Sequence, residues 1–388
     1  MIFKRIICCS LLNLIPSFDL LQSFHRIRIN DIQIKRFILR YRKLGNTDVE
    51  VSVICLGTMT WGEQNSQEEA FQQMDYSMER GINFFDTAEL YSVMPRKETY
   101  GRTEEIIGNW FKQKRNRSSV FLASKIASKS EGLNWIRKGS KHLGFDKANL
   151  NSAIDSSLKR LQTDYIDLYQ LHWPERQVPK FGTLDFDYDE GDTDWTPIQE
   201  VLENLQMLVQ EGKIKYIGLS NETPWGVAKF LQLAKEKNLP RVISIQNVYN
   251  LVNRVFDIAN SEIAIREQCG LLAYSPLAGG RLSGKYIANK NPANARYTLW
   301  PRRFSRHHTL RGEKAIETYV KLAHECGITP ATFANAFVND RPFVTSNIIG
   351  ATSMEQLKEN IDSIDIKLDS SIVQKINDIH LSDPNPCV

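Results

Sequence analysis

The chain has 388 residues, 42% of them hydrophobic and 24% charged, with a formal net charge of +4. That balance describes a globular protein with ample core material, and no apolar run approaches the roughly 20 residues a bilayer span needs. A nucleic-acid surface is excluded too: residues 1–40 carry seven Lys and Arg against two Asp, so the remainder is close to neutral. The cysteines are Cys8, Cys9, Cys55, Cys269, Cys326 and Cys387, with no CxxC and no zinc-like spacing. They read as isolated thiols of a reducing compartment, and no metal is expected.

In residues 1–40, Lys4 and Arg5 precede an apolar patch, Ile6 to Ile15, which Pro16 breaks. The segment reads either as a targeting signal, secretory or organellar, or as an extension outside the fold. The barrel domain itself is expected over residues 41–388, cytoplasmic unless those first 40 residues direct it to an organelle.

Tyr41 to Ser52 alternates about a Gly45-Asn46 turn signal and predicts a small hairpin. From Val53 short apolar runs alternate with amphipathic stretches. The predicted strands are Val53–Leu56, Asn83–Phe85, Val120–Ala123, Ile166–Gln170, Tyr216–Leu219, Val242–Ile245, Leu271–Ala273 and Asn347–Ile349. Helical spacing is seen over Gln67–Arg80, Thr103–Lys114, Asn149–Leu161, Ile198–Glu211, Trp225–Lys237, Gly312–Cys326 and Met354–Ile361. Eight such units predict an α/β fold, a single closed (β/α)8 TIM barrel with a short N-terminal hairpin. No GxGxxG follows the first strand, which argues against an open dinucleotide-binding sheet.

Two connections are longer than a barrel requires. Glu175–Thr196 is acidic, through Asp185, Asp187, Asp189, Glu190, Asp192 and Asp194. A solvated surface is the expectation there. Ala278–Leu310 is basic, with Arg281, Lys285, Arg296, Arg302, Arg303, Arg306, His307 and His308. Cations on such a loop suit a phosphorylated cofactor.

A (β/α)8 barrel places its site at the C-terminal ends of the strands. Reading each strand to that end yields Gly57-Thr58-Met59 with Trp61, then Asp86 with Tyr91, Lys125, and His172-Trp173. Next come Ser220-Asn221, Gln246, Tyr274-Ser275-Pro276 and Gly350-Ala351-Thr352. A structural barrel has no need for polar groups delivered so regularly to one rim. A metal-dependent hydrolase would need several His or carboxylate ligands, and only Asp86 and His172 qualify.

The words Gly81-Ile-Asn-Phe-Phe-Asp86-Thr-Ala-Glu-Leu-Tyr91, Ala123-Ser-Lys125 and Leu158 to Pro174, with Leu-His172-Trp-Pro, resemble the aldo-keto reductases. So do Ile217-Gly-Leu-Ser220-Asn221, Ile245-Gln246-Asn, Ala273-Tyr-Ser-Pro-Leu277 and Ile349-Gly-Ala-Thr352. The likeness runs from about Tyr41 to the C-terminus. Through Gly57–Asn65 and Ser220-Asn221-Glu222 it resembles the bacterial Tas-like branch.

The resemblance implies a carbonyl reductase whose catalytic residues are Asp86, Tyr91, Lys125 and His172. Tyr91 would donate the proton, His172 would orient the carbonyl, and Asp86 with Lys125 would lower the tyrosine's pKa, since an adjacent ammonium favours phenolate. It implies NADPH as cofactor. Ser220, Asn221 and Gln246 would hold the carboxamide, and Tyr274 would stack beneath the nicotinamide, followed by Ser275, Pro276 and Leu277. Gly280, Leu282 and Lys285 would line the pyrophosphate. Gly350, Ala351, Thr352, Ser353, Gln356, Glu359 and Asn360 would surround the adenosine half. Many members carry a lysine and an arginine where this chain has Gly350 and Gln356, so Lys285 and Arg296 are expected to supply the positive charge.

The partner is a small-molecule carbonyl substrate, with Trp61 and Trp173 walling its pocket beside Met59 or Met94. The alternative function is a slow-turnover NADPH-binding redox sensor or regulatory subunit.

Overall fold

The computed structural model describes residues 39–137, 142–301 and 307–388, in which Leu39–Val388 forms one compact unit. The N-terminal segment up to Ile38 lies outside the described residues, as do Arg302, Arg303 and Arg306.

The predicted hairpin pairs β1 (Tyr41–Lys43) with β2 (Glu50–Ser52) antiparallel, Tyr41 opposite Ser52. Eight parallel strands then close into a barrel: β3 (Ile54–Gly57), β4 (Phe84–Asp86), β5 (Phe121–Ile126), β6 (Ile166–Leu171), β7 (Ile214–Ser220), β8 (Val242–Val248), β9 (Gly270–Tyr274) and β10 (Val344–Ile349). Strand β10 pairs with both β9 and β3 and seals the ring. Among the described residues no helix is long and apolar enough to cross a membrane.

Period-two alternation along each strand makes two apolar layers. One side of the strands faces the barrel lumen, where Cys55, Phe84, Ala123, Leu168, Leu272 and Ile348 pack with Leu44 and Val51 of the hairpin. The hairpin therefore plugs the lower mouth. Its turn fits closely: Gly45 sits at φ +63°, and a Cβ there would come within 2.6 Å of the Ile243 carbonyl oxygen. The other side, with Ile54, Leu56, Phe85, Leu122, Tyr169 and Ile217, packs under the helices.

The helices are α1 (Gln67–Glu79), α2 (Arg102–Lys114), α3 (Lys147–Leu161), α4 (Ile198–Gln210), α5 (Pro224–Lys237), α6 (Asn260–Arg266), α7 (Arg296–Leu299), α8 (Leu310–Glu325), α9 (Pro330–Asn339), α10 (Met354–Asp362) and α11 (Ser370–Ser382). Caps set their starts. Ser66 and Glu69 form a capping box on α1, Asp146 caps α3, Thr223 precedes Pro224 on α5, and Thr309 caps α8. These caps start α3, α5 and α8 one or two residues before the expected positions.

Helix α9 has no counterpart among the helical stretches named from the sequence. Eight of its ten residues are buried, Ala331 and Phe333 to Asn339, so it carries no polar stripe to mark a period.

Candidate active site

In five of the barrel strands, the lumen-facing residue two positions beyond the apolar layer lies one layer nearer the upper mouth. Those positions are Gly57 after Cys55, Asp86 after Phe84, Lys125 after Ala123, Gln170 after Leu168 and Tyr274 after Leu272. The polar groups thus form one tier on top of an apolar floor. Lys125 lies within β5 rather than beyond its end, because the strand runs on to Ile126; Ala123 pairs with Leu168 and Lys125 with Gln170.

Lys125 is fully buried. Its Nζ donates to Asp86 Oδ2 at 2.6 Å and to the Thr87 carbonyl at 2.7 Å, and lies 3.4 Å from Tyr91 Oη. The other carboxylate oxygen of Asp86 accepts from Gln246 Nε2 at 2.8 Å and Gln170 Nε2 at 3.2 Å. Gln170 is a contact that sequence reasoning missed. Its signal was parity, a polar residue two positions beyond the lumen-facing Leu168.

The Tyr91 ring meets His172 edge-on, centroids 5.9 Å apart, and His172 lies against Trp173 at 4.9 Å. Burial and the nearby Lys125 charge hold the imidazole well below the usual histidine range, so it is neutral. Burial works against the Lys125 ammonium, but Asp86 and Tyr91 outweigh it and its pKa lies above that of an ordinary lysine.

Tyr91 departs from expectation. Burial raises its pKa, and the lowering effect of Lys125 only partly offsets this, with Asp86 adding to the rise. The ammonium's charge is largely absorbed by Asp86, 2.6 Å away, and little is left for the phenol.

Behind this tier, Glu89 ties the segment bearing Tyr91 to the loop after β5. Its fully buried carboxylate accepts from the Ala127 N–H at 2.6 Å, from Tyr100 Oη at 3.0 Å and from the Arg137 guanidinium.

Above the tier opens a cavity of about 710 Å³, a size suited to a cofactor and a small molecule together. Its wall includes Asp86, Tyr91, His172 and Trp173. From the predicted cofactor residues it takes Ser220, Asn221, Gln246, Tyr274, Ser275, Pro276, Leu277, Gly280, Lys285, Arg296, Gly350, Ala351, Thr352, Gln356, Glu359 and Asn360.

Several of these are already committed. Asn221 donates to the His172 carbonyl at 2.8 Å and accepts from Tyr274 Oη at 2.7 Å. Gln246 Nε2 also bonds Gln170 Oε1 at 3.1 Å, which leaves the Gln246 oxygen for a ligand. Asn360 bonds Gly350 and Asn335.

Three expected residues lie elsewhere. Trp61 is completely buried, its Nε1 donating to Gln73 Oε1 at 2.9 Å, so it braces α1 instead of walling the pocket. Leu282 is a core residue of the basic loop. Ser353 spends its hydroxyl on capping α10, accepting from the Gln356 N–H at 3.3 Å.

The loops divide differently from their charge. In the basic one, Arg281 turns inward to His308, 2.8 Å away, and to Glu313 at 3.5 Å, whereas Lys285 and Arg296 line the cavity. The acidic one is largely exposed, yet its Lys180 and Phe181 form part of the cavity wall. Lys129, Leu133 and Asn335 also line it, unannounced by any motif.

The eight strands thus close a TIM barrel that holds a buried Lys–Asp pair, a tyrosine and a neutral histidine beneath its cavity. Residues 53–380 match the model of the Aldo/keto reductase family. Protein tas of Escherichia coli (strain K12) is 43% identical over 345 residues, 88% of this chain and 98% of that protein. The uncharacterized oxidoreductase YrpG of Bacillus subtilis is 34% identical over 346 residues, 88% and 96% of the two chains. Norsolorinic acid reductase B of Dothistroma septosporum is 28% identical over 87% and 81%. The chain belongs to the aldo-keto reductase family, whose members generally reduce carbonyls with NAD(P)H.

Proposed function

We propose that this chain reduces aldehydes and ketones to alcohols with NADPH, and that Tyr91 delivers the proton. The observation that carries the reading is the fully buried Lys125, clamped by Asp86 and 3.4 Å from Tyr91 Oη at the cavity floor. The direction of reaction has support from a relative named as a reductase.

The cavity has the features such a cofactor needs. Gly279 and Gly280 sit at φ +67° and +98°, and a Cβ on Gly280 would come within 3.1 Å of Lys285, so the backbone there is bare for a phosphate. Lys285 and Arg296 are close enough that Arg296, after burial, lowers the Lys285 pKa. Two cations crowded on one wall favour the extra phosphate of NADPH over NADH. Ser220, the oxygen of Gln246 and Tyr274 would take the nicotinamide end.

Bound NADPH supplies the hydride, which no side chain can. The chain does the rest. The neutral imidazole of His172 donates its N–H to the carbonyl oxygen and steadies the charge that develops there. Tyr91, whose raised pKa keeps it protonated in the resting site, gives its proton to that oxygen. The phenolate left behind faces Lys125, held in place by Asp86, whose other oxygen Gln170 and Gln246 secure.

The test is NADPH oxidation against a panel of aldehydes for wild type and Tyr91→Phe, with NADPH and NADH titrated by protein fluorescence. Turnover by wild type alone supports the reading. Equal inertness with tight NADPH binding would replace it with a redox-sensing or regulatory role.

A further inference from the structure

The substrate end of the cavity carries a cation with no bonded acid among the described residues. Lys180 lines the cavity, half-buried, and among the described residues its ammonium makes no hydrogen bond or ion pair. Its neighbours are spoken for. Arg176 is clamped by Glu222 at 2.5 and 3.2 Å, and Lys129 is paired with Asp194 at 2.9 Å. Asp192, the acid that acts most strongly on Lys180, accepts instead from the Gln177 N–H at 2.6 Å, and Glu222 is held by Arg176. Burial lowers the Lys180 pKa. An ammonium drawn partly out of water with no partner is a cost that an incoming anion relieves.

The loop is built to hold that lysine over the site. Glu175 joins its two ends by accepting from the N–H of Phe145 at 3.1 Å and from the N–H and hydroxyl of Thr196 at 3.1 and 3.2 Å. A turn from Lys180 to Thr183 closes on itself through the Lys180 N–H and the Thr183 hydroxyl, 2.9 Å. Within it Phe181 takes φ +54°, a conformation that bulky residues rarely adopt and that here marks a held position. The result sets the Phe181 ring edge-on to Trp173 at 6.0 Å, from which the ring path leads through His172 to Tyr91.

We propose that this cavity takes carbonyl compounds bearing a carboxylate on a ring-sized apolar body. Lys180 pairs with the carboxylate, Trp173 and Phe181 wall the body, and the carbonyl reaches Tyr91 and His172. The proposal rests on the reductase reading and adds the substrate class.

The test uses the full chain with NADPH and a matched pair, 3-carboxybenzaldehyde and 3-methylbenzaldehyde, on wild type and Lys180→Gln. Wild type favours the carboxylate by about tenfold in kcat/KM, carried by KM, in line with one charge-assisted hydrogen bond. The variant loses that preference and keeps its rate on the methyl compound. Added salt erodes the wild-type preference. Equal kcat/KM in wild type, or a preference that survives Lys180→Gln, overturns the proposal. If neither aldehyde turns over, the reductase reading fails. Titration of 3-carboxybenzyl alcohol against 3-methylbenzyl alcohol then decides the anion site separately, equal binding overturning it.

Discussion

Asp86→Asn separates a buried charge pair from its chemistry. Asp86 accepts from Lys125 at 2.6 Å on one oxygen, and from Gln246 and Gln170 on the other. An asparagine keeps an acceptor for the two glutamines but turns an NH2 towards the ammonium. Lys125, with no exposure, would retain only the Thr87 carbonyl and the long contact to Tyr91.

Removing one partner of a buried pair costs about 3–5 kcal/mol, and the pH dependence shows where the cost arises. In wild type the Lys125 pKa is raised, so its contribution is complete below the unfolded value and fades only as pH climbs past the folded one. In the variant, with Asp86 neutral, burial outweighs what Tyr91 still contributes and pushes the lysine below its unfolded value. The folded state then binds fewer protons than the unfolded chain, and stability rises with pH. The deficit shrinks by about 1.4 kcal/mol per pH unit above the folded pKa, until the unfolded lysine value near 10.4 is reached. Urea unfolding of both proteins near pH 7 and near pH 9 reads this directly, from midpoints at unchanged slope. NADPH oxidation by the variant falls about 10²- to 10⁴-fold. A deficit below about 1 kcal/mol near pH 7, with the wild-type pH slope, would refute the claim that Asp86 keeps Lys125 charged.

Tyr91→Phe loses about 10²- to 10⁴-fold in kcat. Because its hydroxyl has only the 3.4 Å contact with Lys125, stability falls by less than about 1 kcal/mol and NADPH affinity is unchanged; retained turnover would remove Tyr91 as donor. Burial pushes the Glu175 carboxyl up to about 7. The folded state therefore holds the proton more tightly, and stability falls as pH rises from the unfolded carboxyl value, about 4.3, to about 7. The fall is about 4 kcal/mol at most, less where water reaches the group. Glu175→Gln flattens that part of a stability–pH curve, and an unaltered slope would assign it to another group. Gly108 lets α2 lie on α3: a Cβ there would sit 2.2 Å from the Arg160 carbonyl oxygen. Gly108→Ala is expected to lower the stability, read from the urea midpoint at unchanged slope, by about 1–3 kcal/mol in spite of alanine's better helix propensity, whereas a stabilised variant would show that the helices yield.

Much of the architecture was legible because it repeats locally. Short apolar runs alternating with amphipathic ones specify strands and helices, eight times over, and the mostly buried α9 escaped for want of a polar face. Parity puts Asp86, Lys125 and Gln170 on the lumen side of their strands, since successive residues point to opposite faces, a signal that the motifs did not carry for Gln170. Distance along the chain hid what those groups do to one another. Only barrel closure brings Gln246 within 2.8 Å of Asp86, 160 residues away in sequence, and turns Trp61 inward onto Gln73. Loop charge told only part of the story for the same reason: net composition does not say which side chain is tied back and which is aimed inward. Arg281 is bound to its own loop while Lys180, in an acidic one, faces the cavity. Side-chain direction and burial, which decide pKa and pairing, are set by neighbours from other strands and loops, and those neighbours exist only once the chain has folded.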